Sequence, residues 1–173
     1  ELVREFSTMA GRNTAAGLVC FLGAGAYDHF VPAAIDHILL RSEFYTAYTP
    51  YQAEVSQGTL QSIYEYQSMI SRICGLDCAN ASMYDGASAA AEAALMMMRV
   101  KKVDRVLVAG SLNPRYLEVV QTYLRHGGFQ MNEVPFGPDG RLDLAVAREL
   151  CSGGVAGLLV QQPTFFGLVE DAG

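Results

Sequence analysis

Three stretches of this chain hold the residue types from which binding or catalysis is built. The first is Asp85-Gly86-Ala87-Ser88, a small-residue turn ahead of an alanine-rich run. A turn of that kind opening a helix exposes free amides at the positive end of the helix, a cradle for phosphate. The same letters also write a plain helix cap by Asp85 or Ser88. A carboxylate at Asp85 would repel a phosphate. The second stretch is Tyr45 to Gln57, where three tyrosines stand among Thr, Gln and Glu. It has neither helical nor strand periodicity. It reads as a loop that either packs an interface or touches a ligand, and tyrosine, apolar along its body and polar at its tip, suits both. The third is Gln161-Gln162-Pro163-Thr164-Phe165-Phe166-Gly167, directly after an apolar run. In open α/β sheets ligands gather past the carboxyl ends of strands, while a proline that merely stops a strand gives the same pattern.

Other chemistry is thinly represented. No nucleophile–base pair stands out, and His29, His37 and His126 are scattered, with Asp36 beside His37 unmarked as a dyad. His126 falls at the end of a helical run, where a cation suits the helix dipole. Cys20, Cys74, Cys78 and Cys151 do not make a metal-ligand pattern. Cys74 and Cys78 lack a second pair or a nearby histidine to complete a zinc set. Free buried thiols are expected instead. Phe21 to Asp28 contains Gly23-Ala24-Gly25, half of a dinucleotide fingerprint, but Asp28 stands where the third glycine is needed. That segment is expected to be an ordinary turn. Lys101 and Lys102 are the only lysines. Adjacent, at the end of a helical run and before a strand, they read as solvated partners of the helix dipole.

The elements that would position these stretches alternate. Leu60, Ile63, Tyr64, Gln67, Ile70, Ile73 and Cys74 share one helical face on which only Gln67 is polar, and Gly75 stops the helix. Asn80 to Tyr84 is a short candidate strand. A helix is expected over Ala89 to Arg99, its Met96 to Met98 in the core. A buried strand follows over Val103 to Ala109. Asn113 caps a helix that carries Pro114 in its first turn and ends at Gly127-Gly128. Phe129 to Phe136 is a strand, Gly137 to Gly140 a turn, Asp143 to Cys151 a helix and Val155 to Gln161 a further buried strand. This is the βαβ rhythm of a mostly parallel sheet with helices on both faces. Residues 1–57 do not share it. They read as an arm or interface segment, and residues 58–173 as the first part of an α/β domain.

Composition closes off several classes. The 173 residues are 51% hydrophobic and 17% charged, too apolar for a disordered chain. Twelve basic residues against eighteen acidic ones give a net charge of −6, so a nucleic-acid partner is not expected. The uncharged run Thr14 to Tyr27 is too short and glycine-rich to span a bilayer. The chain starts at Glu1 inside what reads as a helix, and its last residues follow a strand and loop, so a fragment of a longer protein is expected.

Tyr45 to Gly58, followed by Ala79 to Ser88 and by Gln162-Pro163-Thr164-Phe165-Phe166-Gly167, resembles the glycine cleavage system P-protein family, in particular the alpha chain of its split bacterial form. The resemblance covers essentially the whole chain. It implies a fold type I pyridoxal-phosphate (PLP) transferase large domain preceded by an N-terminal arm. It implies a cytoplasmic bacterial enzyme of glycine catabolism, glycine dehydrogenase (aminomethyl-transferring), EC 1.4.4.2, assembled as a heterotetramer. That enzyme decarboxylates glycine on PLP and passes the aminomethyl group to the lipoyl arm of the H-protein. It also implies that PLP sits on the partner, subunit 2. In that case this chain completes the active site in trans through Tyr48, Thr49, Tyr51 and Gln52, with Asp85, Gly86, Ala87 and Ser88 a degenerate phosphate turn. An alternative within the resemblance is a mainly structural partner, and another is a stand-alone PLP enzyme whose lysine lies beyond this sequence. A fragment with an uncovered sheet edge is expected to be inactive alone and to self-associate.

Overall fold

A computed structural model describes residues 1–21 and 28–171, except for the side chain of Ala16. The Gly23-Ala24-Gly25 turn lies outside the described residues. The chain divides into two compact units, Glu1–Tyr51 and Gln52–Gly173.

The first unit is helical. Helix α1 (Leu2–Ala10), a 3-10 turn (Ala15–Gly17), α2 (Ala34–Leu39) and α3 (Ser42–Tyr45) follow in order. None of the three α-helices buries a residue. In α1, Leu2, Val3, Phe6 and Met9 stay exposed although they form an amphipathic stripe.

The second unit begins with α4 (Gln57–Cys74). Its C-cap is Gly75 at φ +67, a left-handed conformation that costs glycine nothing. Gln67, the polar residue on its apolar face, donates to the carbonyl of Ala79 at 2.9 Å and so ties the following loop back to the helix. Otherwise α4 buries no residue, and Tyr64 and Ile73 of its stripe are exposed. The candidate strand at Asn80 to Tyr84 does not form. Ser82 sits at φ +63, a left-handed kink incompatible with an extended strand, and the segment runs as a loop.

From there the alternating pattern holds. Helix α5 (Gly86–Lys101), strand β1 (Arg105–Ala109), α6 (Pro114–Arg125), β2 (Gln130–Val134), α7 (Leu144–Cys151) and β3 (Leu158–Leu159) follow. The sheet order is β2-β1-β3 and both pairings are parallel. Arg105 pairs with Gln130 through to Ala109 with Val134, and Leu107 and Val108 pair with Leu158 and Leu159. The last strand is shorter than the apolar run Val155 to Gln161. The backbone bonds from Ala156 to Arg105 and from Leu107 to Gly157 lengthen the contact, and the chain then turns away at Gln162-Pro163, a cis peptide.

Central position explains why β1 is apolar throughout, with Val106 to Ala109 all buried. Period-two alternation sends its side chains to two cores. Val106 joins Ala91, Ala94, Met98, Val120 and Leu124 beneath α5 and α6. Leu107 joins Val134 and Ala147 beneath α7. The unit is therefore α/β with helices on both faces of a parallel sheet. Of Met96 to Met98, Met98 is buried, Met97 lies against Gly157, and Met96 points outward, because consecutive helical positions cannot all face one core.

All four cysteines are exposed, contrary to the buried thiols expected from sequence. Cys74 and Cys151 close helices that lack cover at those ends, and Cys78 lies in the loop after α4. No group of three metal-ligating side chains comes together among the described residues. Among the described residues no helix is long and apolar enough to cross a membrane.

Candidate functional site at the carboxyl edge of the sheet

Asp85 is the N-cap of α5. Its extended backbone (φ −156, ψ 172) turns the carboxylate back over the helix start, where it accepts the N–H of Ser88 at 2.7 Å. Hydrogen bonds from the backbone and then the side chain of Ser88 hold the Asp85 carboxyl below the usual aspartate range. Gly86 is required by a neighbour. A Cβ there would run into the ring and hydroxyl of Tyr116, in the first turn of α6. The start of α5 thus lies beside the start of α6, at the carboxyl end of β1. A cavity of about 340 Å³ adjoins the turn, lined by Tyr66, Asn80, Ser82, Met83, Asp85 and Gly86 among others.

A carboxylate lowered in the folded state stabilises the fold above its unfolded pKa, and that contribution is lost as pH falls through the folded value. Asp85→Ala is therefore expected to lower the thermal midpoint at neutral pH and to flatten its decline on acidification. A midpoint-against-pH series for both proteins checks this, and parallel acid limbs would count against it.

The turn does not fit the phosphate of PLP. Asp85, a negative charge, already occupies the Ser88 N–H of that turn. Lys101 and Lys102 are exposed at the opposite end of α5, about 24 Å of helix away. Lys102 is itself the C-cap, at φ +55. Neither lysine reaches the Asp85 turn.

The strand-end stretch is knit firmly into the same edge. The side-chain oxygen of Gln161 accepts the N–H of Asn113 at 2.8 Å. Asn113 in turn caps α6 by accepting from the Arg115 N–H. Thr164, 3% exposed, accepts the Leu168 N–H on its hydroxyl while its own N–H donates to the Leu168 carbonyl at 2.8 Å. The Phe165 N–H donates to the carbonyl of Ser111, which is 1% exposed. Phe166 packs edge-to-face on Phe136 at 5.0 Å and lies 5.9 Å from Phe165. Both faces of the loop are thus fixed while Phe165 and Phe166 remain about half exposed.

Glu170 was not singled out by sequence. Its carboxylate accepts the Leu142 N–H with both oxygens, at 3.0 and 3.2 Å, and the Ser111 hydroxyl at 3.3 Å. A long-range pairing of this kind has no local signal. The nearest sequence hint is the acidic pair Glu170-Asp171 after an apolar run.

The tyrosine stretch stands apart from this cluster in the chain. Tyr45 ends α3. Tyr48, Thr49 and Tyr51 close the first unit in an irregular segment in which the Tyr51 N–H donates to the Thr49 carbonyl at 2.8 Å. Tyr48 and Tyr51 are more than four-fifths exposed. Gln52 opens the second unit, where its carbonyl receives the N–H groups of Val55 and Ser56.

Known proteins share this sequence and fold. The sequence matches the glycine cleavage system P-protein family over residues 1–173. It is 56% identical to the probable glycine dehydrogenase (decarboxylating) subunit 1 of Desulforamulus reducens, over 100% of this chain and 39% of that protein. It is likewise 56% identical to the protein of the same name from Chlorobium chlorochromatii, over 97% of this chain and 38% of that protein. A solved structure of glycine decarboxylase (P-protein) of the glycine cleavage system, in inhibitor-bound form, superposes with a TM-score of 0.79 at 39% identity, covering 98% of this chain and 38% of that one. The chain thus spans about two fifths of the length of the curated relatives it matches, and it belongs to the glycine cleavage system P-protein family.

Proposed function

We propose that this chain is part of the subunit of a glycine-decarboxylating dehydrogenase that does not carry the cofactor, and that it completes the active site of a PLP-bearing partner subunit. The observation that carries this reading is the start of α5. Asp85 takes the place an anion would need, and the two lysines lie at the far end of the helix. PLP is then held by the partner, and the whole assembly decarboxylates glycine and passes the aminomethyl group to a lipoyl H-protein. Within this reading Tyr48, Thr49, Tyr51 and Gln52 reach the shared site from the segment joining the two units. Exposure of both tyrosine side chains in the isolated chain supports their having a partner elsewhere. Unpaired outer edges of β2 and β3 among the described residues, and the uncovered stripe of α4, support self-association of the chain when it is alone.

The test is an absorbance scan with PLP before and after borohydride, for the chain alone and with the partner subunit. The expected result is no reducible adduct alone and a stable one, on the partner, when both are present. An adduct on Lys101 or Lys102 would overturn the reading. In the same complex Tyr48→Phe is expected to reduce glycine turnover by several-fold, about the worth of one hydrogen bond, with assembly by sedimentation unchanged. Unchanged turnover with weakened assembly would instead make this chain a structural partner.

A further inference from the structure

We propose that Glu170 is a positioning residue for the shared site, fixing Phe165 and Phe166 as an apolar wall at the carboxyl edge of the sheet. The inference rests on the proposed function, in which that edge serves the assembled enzyme. Glu170 touches neither ring. It reaches both by separate routes.

One route runs through Ser111. The hydroxyl of this buried serine donates to Glu170, and its carbonyl receives the N–H of Phe165 at 2.9 Å. Ser111 therefore joins Phe165 through its backbone and Glu170 through its side chain. The other route runs through Leu142. Its N–H is held by both carboxylate oxygens of Glu170. Leu142 bridges Phe136 across the small hairpin, and the Phe136 ring packs on Phe166. Glu170 is fixed in turn from its own backbone, whose N–H donates to the Gln162 side-chain oxygen at 3.0 Å. Two segments distant in sequence, the β1–α6 connection and the turn that ends at Leu142, thus meet on one carboxylate, while the strand-end loop holds the Glu170 backbone.

What they hold is not core. Phe165 and Phe166 stay 43% and 50% exposed although the backbone around them is bonded on both sides. Two half-exposed aromatic rings held this firmly form a preset surface, which suits contact with a ligand present throughout the catalytic cycle.

The test uses the full-length subunit with its PLP-bearing partner and H-protein, measuring glycine kcat and KM together with assembly. Loosening a wall that contacts ground and transition states equally raises KM and spares kcat. For Glu170→Ala the expected rise in KM is about tenfold with kcat within about twofold, the scale of one part-buried hydrogen-bonded charge lost. Glu170→Gln keeps an acceptor for the Leu142 N–H and is expected to recover most of the loss. Ser111→Ala should give a smaller rise that does not add to that of Glu170→Ala. KM unchanged in Glu170→Ala overturns the proposal, as does a KM that Glu170→Gln fails to rescue. Should Glu170→Ala fail to assemble, Ser111→Ala decides by the same KM. A wild-type complex that does not turn over glycine is seen before any variant is made, and it removes the proposed function and this inference together.

Discussion

Leu107→Ala is expected to destabilise the sheet unit by about 2–5 kcal/mol, the range for emptying a fully buried leucine site. Leu107 has no exposed surface, and it stands where the central strand meets both its neighbours. Its side chain fills the core beneath α7 with Val134 and Ala147, flanked by Val146, Leu150 and Leu158. Collapse around the vacancy is resisted because backbone bonds fix β1 on both sides. Chemical denaturation read by far-ultraviolet circular dichroism measures the loss. Leu144→Ala, on α7 but about half exposed, is the control, and a loss as large as that at Leu107 would show that burial does not set the cost.

The second large effect is expected from adding volume on the other face. Ala91→Leu should cost about 1–3 kcal/mol by overpacking. Helices α5 and α6 approach closely because α5 turns Ala87, Ala91 and Ala94 inward, all of them buried. Ala91 and Ala94 share one core with Val120 and Leu124 of α6. A leucine at position 91 must push α6 away or twist out of its rotamer. Met96→Leu, on the outward side of the same helix, should change stability by less than about 0.5 kcal/mol. Equal effects at the two positions would contradict the close helix contact.

Caps and central strands were legible because their signals are local. Asn113 and Asp143 each precede a helix and accept the N–H groups of its first turn, Asn113 followed by proline at the first helical position. The continuous apolar run of β1 reads as a strand buried on both faces and is one. Legibility failed where tertiary structure overrules composition. Asn80 to Tyr84 has strand-like residues, yet a left-handed Ser82 and a bond from Gln67 to Ala79 make it a loop. The helical stripe of α4 was read correctly, but a stripe says that a face is apolar and not what covers it. At the candidate site, both readings of Asp85-Gly86-Ala87-Ser88 were visible, and only the bond from Ser88 to Asp85 chose the cap. Glu170 carries no period or motif. Its partners Ser111 and Leu142 lie 59 and 28 residues away, and no window along the sequence contains all three.

The unequal strand pairings also set how the sheet breathes. Arg105 is matched to Gln130 and Leu107 to Leu158, so β3 closes a loop about twice as long as β2 does. Doubling a loop adds only about 0.6 kcal/mol of closure entropy. Ladder length therefore decides the order of opening: five paired residues hold β2, while β3 has two paired residues and the flanking bonds at Ala156 and Gly157. Native-state hydrogen exchange is therefore expected to show β3 in an earlier-opening unit than β1 and β2, and equal protection of all three strands would overturn this. The strand-end loop thus follows the shorter ladder of the sheet, and the side chains of Gln161 and Glu170 give it ties to Asn113, Ser111 and Leu142 that do not depend on that ladder.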